Sequence, residues 1–277
     1  MNFWKMNGNG NDFIVVDATA AENIGLDWPA VARALCPRRQ SIGDDGLLVI
    51  ERSKTANFFM RIFNADGSEG EMCGNGARCA ARFAACAGLA PQSMEFETMA
   101  GLMRARVDGR YVEINMGRVR PEPEWSDRTM TLEGETFRAT FALVGVPHLV
   151  LFSREEVGVD FARRWGERLR NDTAQFRQGT NVTFAAPIAR GEMRAVTYER
   201  GVEDLTESCG TGCVAVALAA RLNGLSGPVT EVHNPGGTNR VSLTEMGDGE
   251  YEALLGGTTS LVMTGQTGPD VLPLASR

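Results

Sequence analysis

The chain has 277 residues, 43% of them apolar and 23% charged, which is ordinary for a globular protein and suits one large or two medium domains. Its net charge is −7 and no basic run occurs, which argues against nucleic acid or an anionic membrane surface as a partner. Two histidines and two lysines leave little for a histidine-rich metal centre and no well-placed Schiff-base lysine for a pyridoxal cofactor.

The opening residues, Met1-Asn2-Phe3-Trp4-Lys5, lack the apolar core of a signal peptide, and no apolar run approaches the ~20 residues of a membrane helix. A soluble, cytoplasmic protein is expected, with its six cysteines kept as thiols. From the N-terminus, Phe13-Ile14-Val15-Val16 reads as a strand. Residues 27–36 read as a helix with Asp27 as N-cap and Pro29 in the first turn. Strands follow at 46–51 and 57–64, and a polar loop, 65–72, runs into Cys73-Gly74-Asn75-Gly76. The alanine-rich stretch 77–87 is a helix closed by Gly88. Asp108-Gly109 reads as a hairpin turn between strands 103–107 and 111–116. Residues 118–127, with two prolines and no periodicity, read as an interdomain connection.

The second half repeats this order. Strands run to about 152, a helix covers 160–170, and strands follow at 181–185 and 193–198. A polar loop, 201–208, leads into Cys209-Gly210-Thr211-Gly212 and a helix ending near Gly224. Laid over one another without gaps, 73–89 and 209–225 agree at seven of seventeen positions, among them the cysteine, both glycines of C-G-x-G and the closing Gly-Leu. The expectation is two homologous lobes, each presenting a cysteine at a helix N-terminus, facing across a cleft.

A helix N-terminus offers unpaired N–H groups and the positive end of the dipole. Such a site favours a thiolate, lowering a cysteine pKa from ~8.5, and the amides of 74–76 and 210–212 are placed to grip an α-carboxylate. Two thiols on opposite faces of a Cα suit cofactor-free inversion: one removes the proton and the other delivers one. The same cysteines also admit a zinc site of Cys73, Cys79, Cys209 and Cys213, whose spacings are poor for structural zinc, and a nucleophilic cysteine paired with His148. A non-catalytic protein that captures amino acids is a third. Cys36, Cys79, Cys86 and Cys213 read as core residues, and His233 as structural. Gly8-Asn9-Gly10 does not complete a dinucleotide-binding pattern.

The motifs together resemble those of diaminopimelate epimerases. Lys5-Met6-Asn7-Gly8-Asn9-Gly10-Asn11-Asp12-Phe13 is similar to that family's opening motif. Phe63-Asn64-Ala65-Asp66-Gly67-Ser68 with Cys73-Gly74-Asn75-Gly76-Ala77-Arg78 is similar to its first cysteine motif, and Tyr198-Glu199-Arg200-Gly201-Val202 with Cys209-Gly210-Thr211-Gly212 to its second. Gly145-Val146-Pro147-His148 and Pro235-Gly236-Gly237 also fall where the family has related motifs.

The resemblance implies an α+β fold of two pseudo-symmetric lobes, each a curved, mostly antiparallel sheet around a central helix. The lobes would be 1–118, with about 262–277 returning to it, and 119–261. It implies an isomerase that needs no cofactor or metal and turns LL-diaminopimelate into the meso form for lysine and cell-wall precursor synthesis. Cys73 and Cys209 would be base and acid. Substrate contacts would come from Asn11, Asn64, Gly74, Asn75, Asn181, Glu199, Arg200, Gly210 and Thr211, with Arg200 on the distal carboxylate. His148 and Glu199 would help set the protonation of the thiols. Val146, where many members carry Asn, and the extra acid in Ser41-Ile42-Gly43-Asp44-Asp45 depart from the pattern. A related racemase of another amino acid, such as histidine, is therefore the runner-up, and the sequence leaves a homodimer open.

Overall fold

The computed structural model describes residues 1–126 and 128–268. The chain divides into two compact units: Met1–Ile114 with the chain from Gly257 onward, and Asn115–Gly256. Of the expected return over 262–277, residues 269–277 lie outside the described residues, as does Asp127 of the expected connection.

The first unit runs β1 (Asn2–Gly8), β2 (Asn11–Asp17), α1 (Trp28–Leu35), β3 (Gly46–Glu51), β4 (Phe58–Asn64), β5 (Glu69–Gly70), α2 (Gly74–Cys86), β6 (Ser93–Thr98), β7 (Gly101–Asp108) and β8 (Tyr111–Pro121). Strand β8 carries the chain into the second unit. There follow β9 (Arg128–Leu132), β10 (Glu135–Val144), β11 (Val146–Phe152), α3 (Val159–Arg170), β12 (Asn181–Ala189), β13 (Glu192–Glu199), β14 (Asp204–Thr206), α4 (Gly210–Leu222), β15 (Val229–Asn234) and β16 (Gly237–Gly247). Strand β17 (Glu250–Gln266) brings the chain back and pairs antiparallel with β1. Residues 118–121, expected in an irregular connection, extend β8. Pro121 is the last residue of that strand, opposite Ala142 of β10.

Both units use one topology. An antiparallel hairpin (β1–β2; β10–β11) leads through a helix to a parallel neighbour (β2–β3 through α1; β11–β12 through α3). An antiparallel partner follows (β3–β4; β12–β13), and a second helix crosses to another parallel strand (β4–β6 through α2; β13–β15 through α4). Parallel neighbours need such crossovers. The fold is α+β and mostly antiparallel.

The hairpin β1–β2 turns on Asn9 and Gly10, at φ 50° and 93°. Both central residues of this tight turn need positive φ, which Asn-Gly supplies. Helix α1 starts as expected, with the Asp27 side chain accepting from the Ala30 N–H at 3.3 Å.

The second helix of each unit is enclosed by its sheet. Helix α2 touches β1, β2, β3, β4 and β7, and α4 touches β10 to β13, β15 and β16. Small side chains allow that approach: Ala77, Ala80, Ala81 and Ala84 of α2, and Ala215, Ala217, Ala219 and Ala220 of α4, are all fully buried. Helix α4 is apolar nearly all round, as a buried helix is, while α2 also carries Arg78, buried, and Arg82, which donates to Thr259 O at 2.6 Å. Both helices end alike. Gly88 (φ 75°) and Gly224 (φ 70°) adopt the left-handed conformation, and the N–H groups of Leu89 and Leu225 donate back to Ala84 and Ala220 at 2.8 and 2.9 Å. The repeated Gly-Leu is therefore a repeated helix stop.

Separate apolar clusters seat the outer helices. Trp28, Val31, Ala32 and Leu35 of α1 pack on Ile14, Val16, Leu47 and Val49. Beneath α3, Phe137, Phe176 and Phe184 pack with Leu149, Leu151 and Ala162. Each large apolar side chain so buried contributes roughly 1.5–3 kcal/mol relative to exposure. Cys36, Cys79 and Cys213 are buried as expected, but Cys86 is exposed. It sits at the last helical position of α2, past the enclosed portion.

Candidate active site

Cys73 and Cys209 are the N-cap residues of α2 and α4, both with extended backbone (φ −136°, ψ 122°; φ −109°, ψ 108°). Their carbonyls take up the helices' first bonds, from Ala77 at 2.7 Å and Cys213 at 2.9 Å. The second glycine of each C-G-x-G lies against its cysteine. A Cβ on Gly212 would stand 3.3 Å from Cys209 Sγ and 3.0 Å from Thr197 Oγ1; one on Gly76 would meet Cys73 Cβ at 3.5 Å and Leu48 Cδ2 at 3.2 Å. At Gly212 an added Cβ would crowd the cysteine, whereas at Gly76 it would meet Cys73 at ordinary contact distance and press on Leu48 instead.

In the first unit Asn11 and Asn75 come together. Asn75 Nδ2 donates to Asn11 Oδ1 at 2.6 Å, Asn11 Nδ2 donates to Asp45 Oδ2 at 3.1 Å, and the buried Arg78 Nη2 donates to Asn75 Oδ1 at 2.6 Å. Arg38 holds Asp12 through two nitrogens (2.6 and 3.1 Å) and Asp45 at 2.9 Å. The extra acid flagged in the sequence, Asp44, turns inward instead. It is buried against Lys5 Nζ at 3.1 Å, and burial, with Asp12 nearby, pushes its pKa up to about 7 against the pull of Lys5. Asn64 is exposed and donates to Ser68 Oγ at 2.9 Å, closing its own loop.

In the second unit Asn181 Nδ2 faces His148 Nε2 at 3.3 Å, and Asn181 Oδ1 accepts the Arg200 N–H at 2.7 Å. Asn181 thus braces the chain at Arg200, whose Nη1 donates to Gln178 O at 3.1 Å. His148 is fully buried. Desolvation, with Arg200 nearby, lowers its pKa to about 3, so it is neutral and carries no proton at physiological pH. As acceptor from Asn181, Nε2 leaves the proton on Nδ1, which finds no partner among the described residues.

Cys209 is buried, and the direction of its pKa is upward. Desolvation is the main cause and the Glu199 carboxylate the second, while the Thr211 hydroxyl and the Gly212 amide pull the other way. The Thr211 Oγ1 lies 3.5 Å from Sγ. This reverses the expectation drawn from the helix N-terminus alone, because a dipole end worth about 0.3–1 kcal/mol does not match the loss of solvent. Cys209 rests as a thiol. Glu199 is itself raised by burial, against the stabilising Thr206 hydroxyl, whose Oγ1 donates to Oε2 at 3.1 Å, and the Cys209 thiol.

Sequence reading overlooked Asp45, Thr206, and the pair Thr183–Thr197, whose hydroxyls are 3.0 Å apart. The threonines carry no local signal, since Thr183 shares its strand face with Asn181, Thr197 with Glu199, and Thr206 follows Asp204 in a three-residue strand. Among the described residues no group of three or more His, Cys, Asp or Glu is gathered closely enough to hold a metal ion, and no helix is long and apolar enough to cross a membrane.

The family model described as diaminopimelate epimerase matches residues 3–121 and 140–262. A diaminopimelate epimerase of Aquifex aeolicus (strain VF5) is 34% identical over 284 residues, covering 98% of this chain and 99% of its own. One of Archaeoglobus fulgidus is 38% identical over 255 residues, covering 88% and 89%. Among solved structures, a Bacillus anthracis phenazine biosynthesis protein of the PhzF family superposes with a TM-score of 0.72 at 14% identity, covering 96% of this chain and 98% of that one. A probable proline racemase from Agrobacterium radiobacter K84 gives 0.70 at 16% identity, covering 97% and 93%. At those identities the two structures speak for the fold alone. The chain belongs to the diaminopimelate epimerase family, and with it to the isomerases.

Proposed function

We propose that this protein inverts one Cα centre of LL-2,6-diaminopimelate to give the meso form, in lysine and peptidoglycan precursor synthesis, with Cys73 and Cys209 as its acid–base pair. The carrying observation is the matched pair of N-cap cysteines, each opening an enclosed helix with C-G-x-G. One thiolate takes the Cα proton, and the electron pair of the broken C–H bond spreads into the α-carboxylate. The other thiol then gives its proton to the opposite face. Cys209, buried and protonated, is suited to the donor role. Amides of Gly74, Asn75, Gly210 and Thr211 stabilise the charge gathering on the carboxylate. Asn11, Asn64 and Asn181 orient the substrate, Glu199 takes its ammonium group, and Arg200 holds the distal carboxylate with a fork that suits that geometry. His148, being neutral, serves by bracing Asn181. The work would be done in the cytoplasm, where thiols stay reduced. Three adjacent exposed residues on β17, Leu261, Val262 and Met263, are consistent with a homodimer.

A second reading is favoured by one residue. Val146, beside the hairpin glycine Gly145 (φ 68°), offers no polar group to a distal end, which fits a racemase of an amino acid with one carboxylate. The deciding experiment is α-proton exchange in D2O, followed by NMR and chiral analysis, with reduced enzyme and LL-diaminopimelate, histidine or glutamate. The expected result is exchange and meso product from diaminopimelate alone, lost by at least ~10³-fold in Cys73→Ala and Cys209→Ala. Exchange only with another amino acid moves the substrate to the second reading. Either alanine variant turning over normally removes the two-thiol assignment.

A further inference from the structure

The β15–β16 hairpin makes polar contacts that the reaction scheme leaves without a role. Asn239 on β16 is fully buried, and its Nδ2 donates to Ser208 Oγ at 3.0 Å and to Cys213 Sγ at 3.3 Å. Asn234, at the end of β15, donates to the same sulfur at 3.2 Å, and the Gly236 N–H donates to Glu207 O at 2.8 Å. Ser208 immediately precedes Cys209, and Cys213 follows it by one helical turn. The hairpin therefore grips the N-terminal turn of α4 on both sides of the thiol.

Packing alone does not explain an amide at this point. Asn239 Oδ1 is buried with no hydrogen-bond partner among the described residues, and an unmet buried acceptor destabilises a fold relative to an apolar side chain of similar shape. The first unit does without one. Counted from the two cysteines without a gap, Asn239 corresponds to Met103, Cys213 to Ala77 and Ser208 to Met72. The hairpins are also in register, with Thr98 opposite Gly101 and Asn234 opposite Gly237. The same backbone thus closes around α2 with apolar atoms at all three places.

We propose that Asn239 is a positioning residue for Cys209: its amide ties Ser208 to Cys213 and holds the turn carrying the thiol in the orientation that delivers a proton to the substrate carbon. This rests on the reading of Cys209 as an acid–base group. A group whose support is fixed by buried hydrogen bonds keeps reactive geometry that a loosely packed turn would lose.

Asn239→Leu is expected to keep or raise the melting temperature while lowering kcat about ten- to a hundredfold, the scale of a misplaced reacting group, with KM changed less than threefold. The same variant should alter the pH dependence with which iodoacetamide labels Cys209, read by peptide mass spectrometry. Cys213→Ala, which removes the acceptor without adding bulk, should lower kcat similarly, and Cys213→Ser should restore most of it. Wild-type kcat and Cys209 labelling in Asn239→Leu overturn the proposal. So does a kcat loss that follows only a loss of folded protein, or equal kcat in the two Cys213 variants. Cys209→Ala keeps the two claims apart. Turnover retained there removes the acid–base role itself, whereas turnover lost there, with Asn239→Leu unaffected, removes only the positioning role.

Discussion

Beneath Cys73 the sheet sets Leu48 opposite Ile62; beneath Cys209 the same register sets Thr183 opposite Thr197, with their hydroxyls 3.0 Å apart. The contrast continues along the neighbouring strands. Phe13 pairs with Gly46 in the first unit, and His148 with Asn181 in the second. It reverses at two points: the first unit buries Arg78 within α2 where the second has Val214, and carries Asn11 two residues before Phe13 where the second carries Val146 before His148. One topology thus encloses either an apolar or a polar lining. The fold itself does not demand the second unit's hydroxyls, amides and carboxylate. The difference also gives the thiols different surroundings: Cys209 is buried beside Glu199, while Cys73 is only half-buried.

Glu199→Gln tests that asymmetry with the largest effect. Burial holds the Cys209 thiol protonated and the Glu199 charge adds to it. Removing the charge lowers the thiol pKa while the burial stays. If Cys209 is the donor, the alkaline limb of the kcat/KM profile moves to lower pH and kcat falls on the order of 10²-fold. An unchanged alkaline limb would mean that the carboxylate has no hold on the thiol that titrates.

A smaller effect should separate the two C-G-x-G motifs. Alanine at Gly212 places a methyl 3.3 Å from Cys209 Sγ and 3.0 Å from Thr197 Oγ1, whereas at Gly76 the nearest atom is the movable Leu48 Cδ2 at 3.2 Å. Helix propensity favours alanine in both by up to about 1 kcal/mol, so neither variant is expected to unfold. Gly212→Ala should lose roughly tenfold in kcat, through displacement of the reacting group, and Gly76→Ala clearly less. Equal losses would mean that the tighter contact at Cys209 has no catalytic consequence.

Much of this was legible in the residues. The repeated C-G-x-G marks both helix starts, where each cysteine is the N-cap, and the repeated Gly-Leu marks both stops because the chain turns left-handed there. Asn9-Gly10 is a dipeptide that marks a tight hairpin turn, and it forms one between β1 and β2. The lining was less legible. Whether Thr183 or Asn239 points inward depends on strand register, which long-range pairing sets and local sequence does not. The protonation of Cys209 is not legible locally for a related reason: the helix dipole is local and visible, while burial and the approach of Glu199 are products of the fold. Cys86 falls outside the core because it is the last residue of α2, two positions past the buried Ala84.

His148 offers the finest test, because its counterpart Phe13 is a natural apolar version of the same site. With a folded pKa of about 3 against an unfolded value near 6.5, the neutral ring's contribution to stability is fully present above pH 6.5. As pH falls below 6.5 the unfolded chain takes up a proton that the folded one refuses. Stability then drops by about 1.4 kcal/mol per pH unit, or roughly 2 kcal/mol by pH 5. His148→Phe abolishes that slope but leaves Asn181 Nδ2 without its acceptor, a loss of about 1–3 kcal/mol at neutral pH. Urea midpoints should therefore place the variant below the wild type at pH 7 and bring the two together near pH 5. Parallel curves across that range would mean that the histidine is reached by solvent and protonated in the folded state, and that the second unit's lining is less dry than its burial indicates.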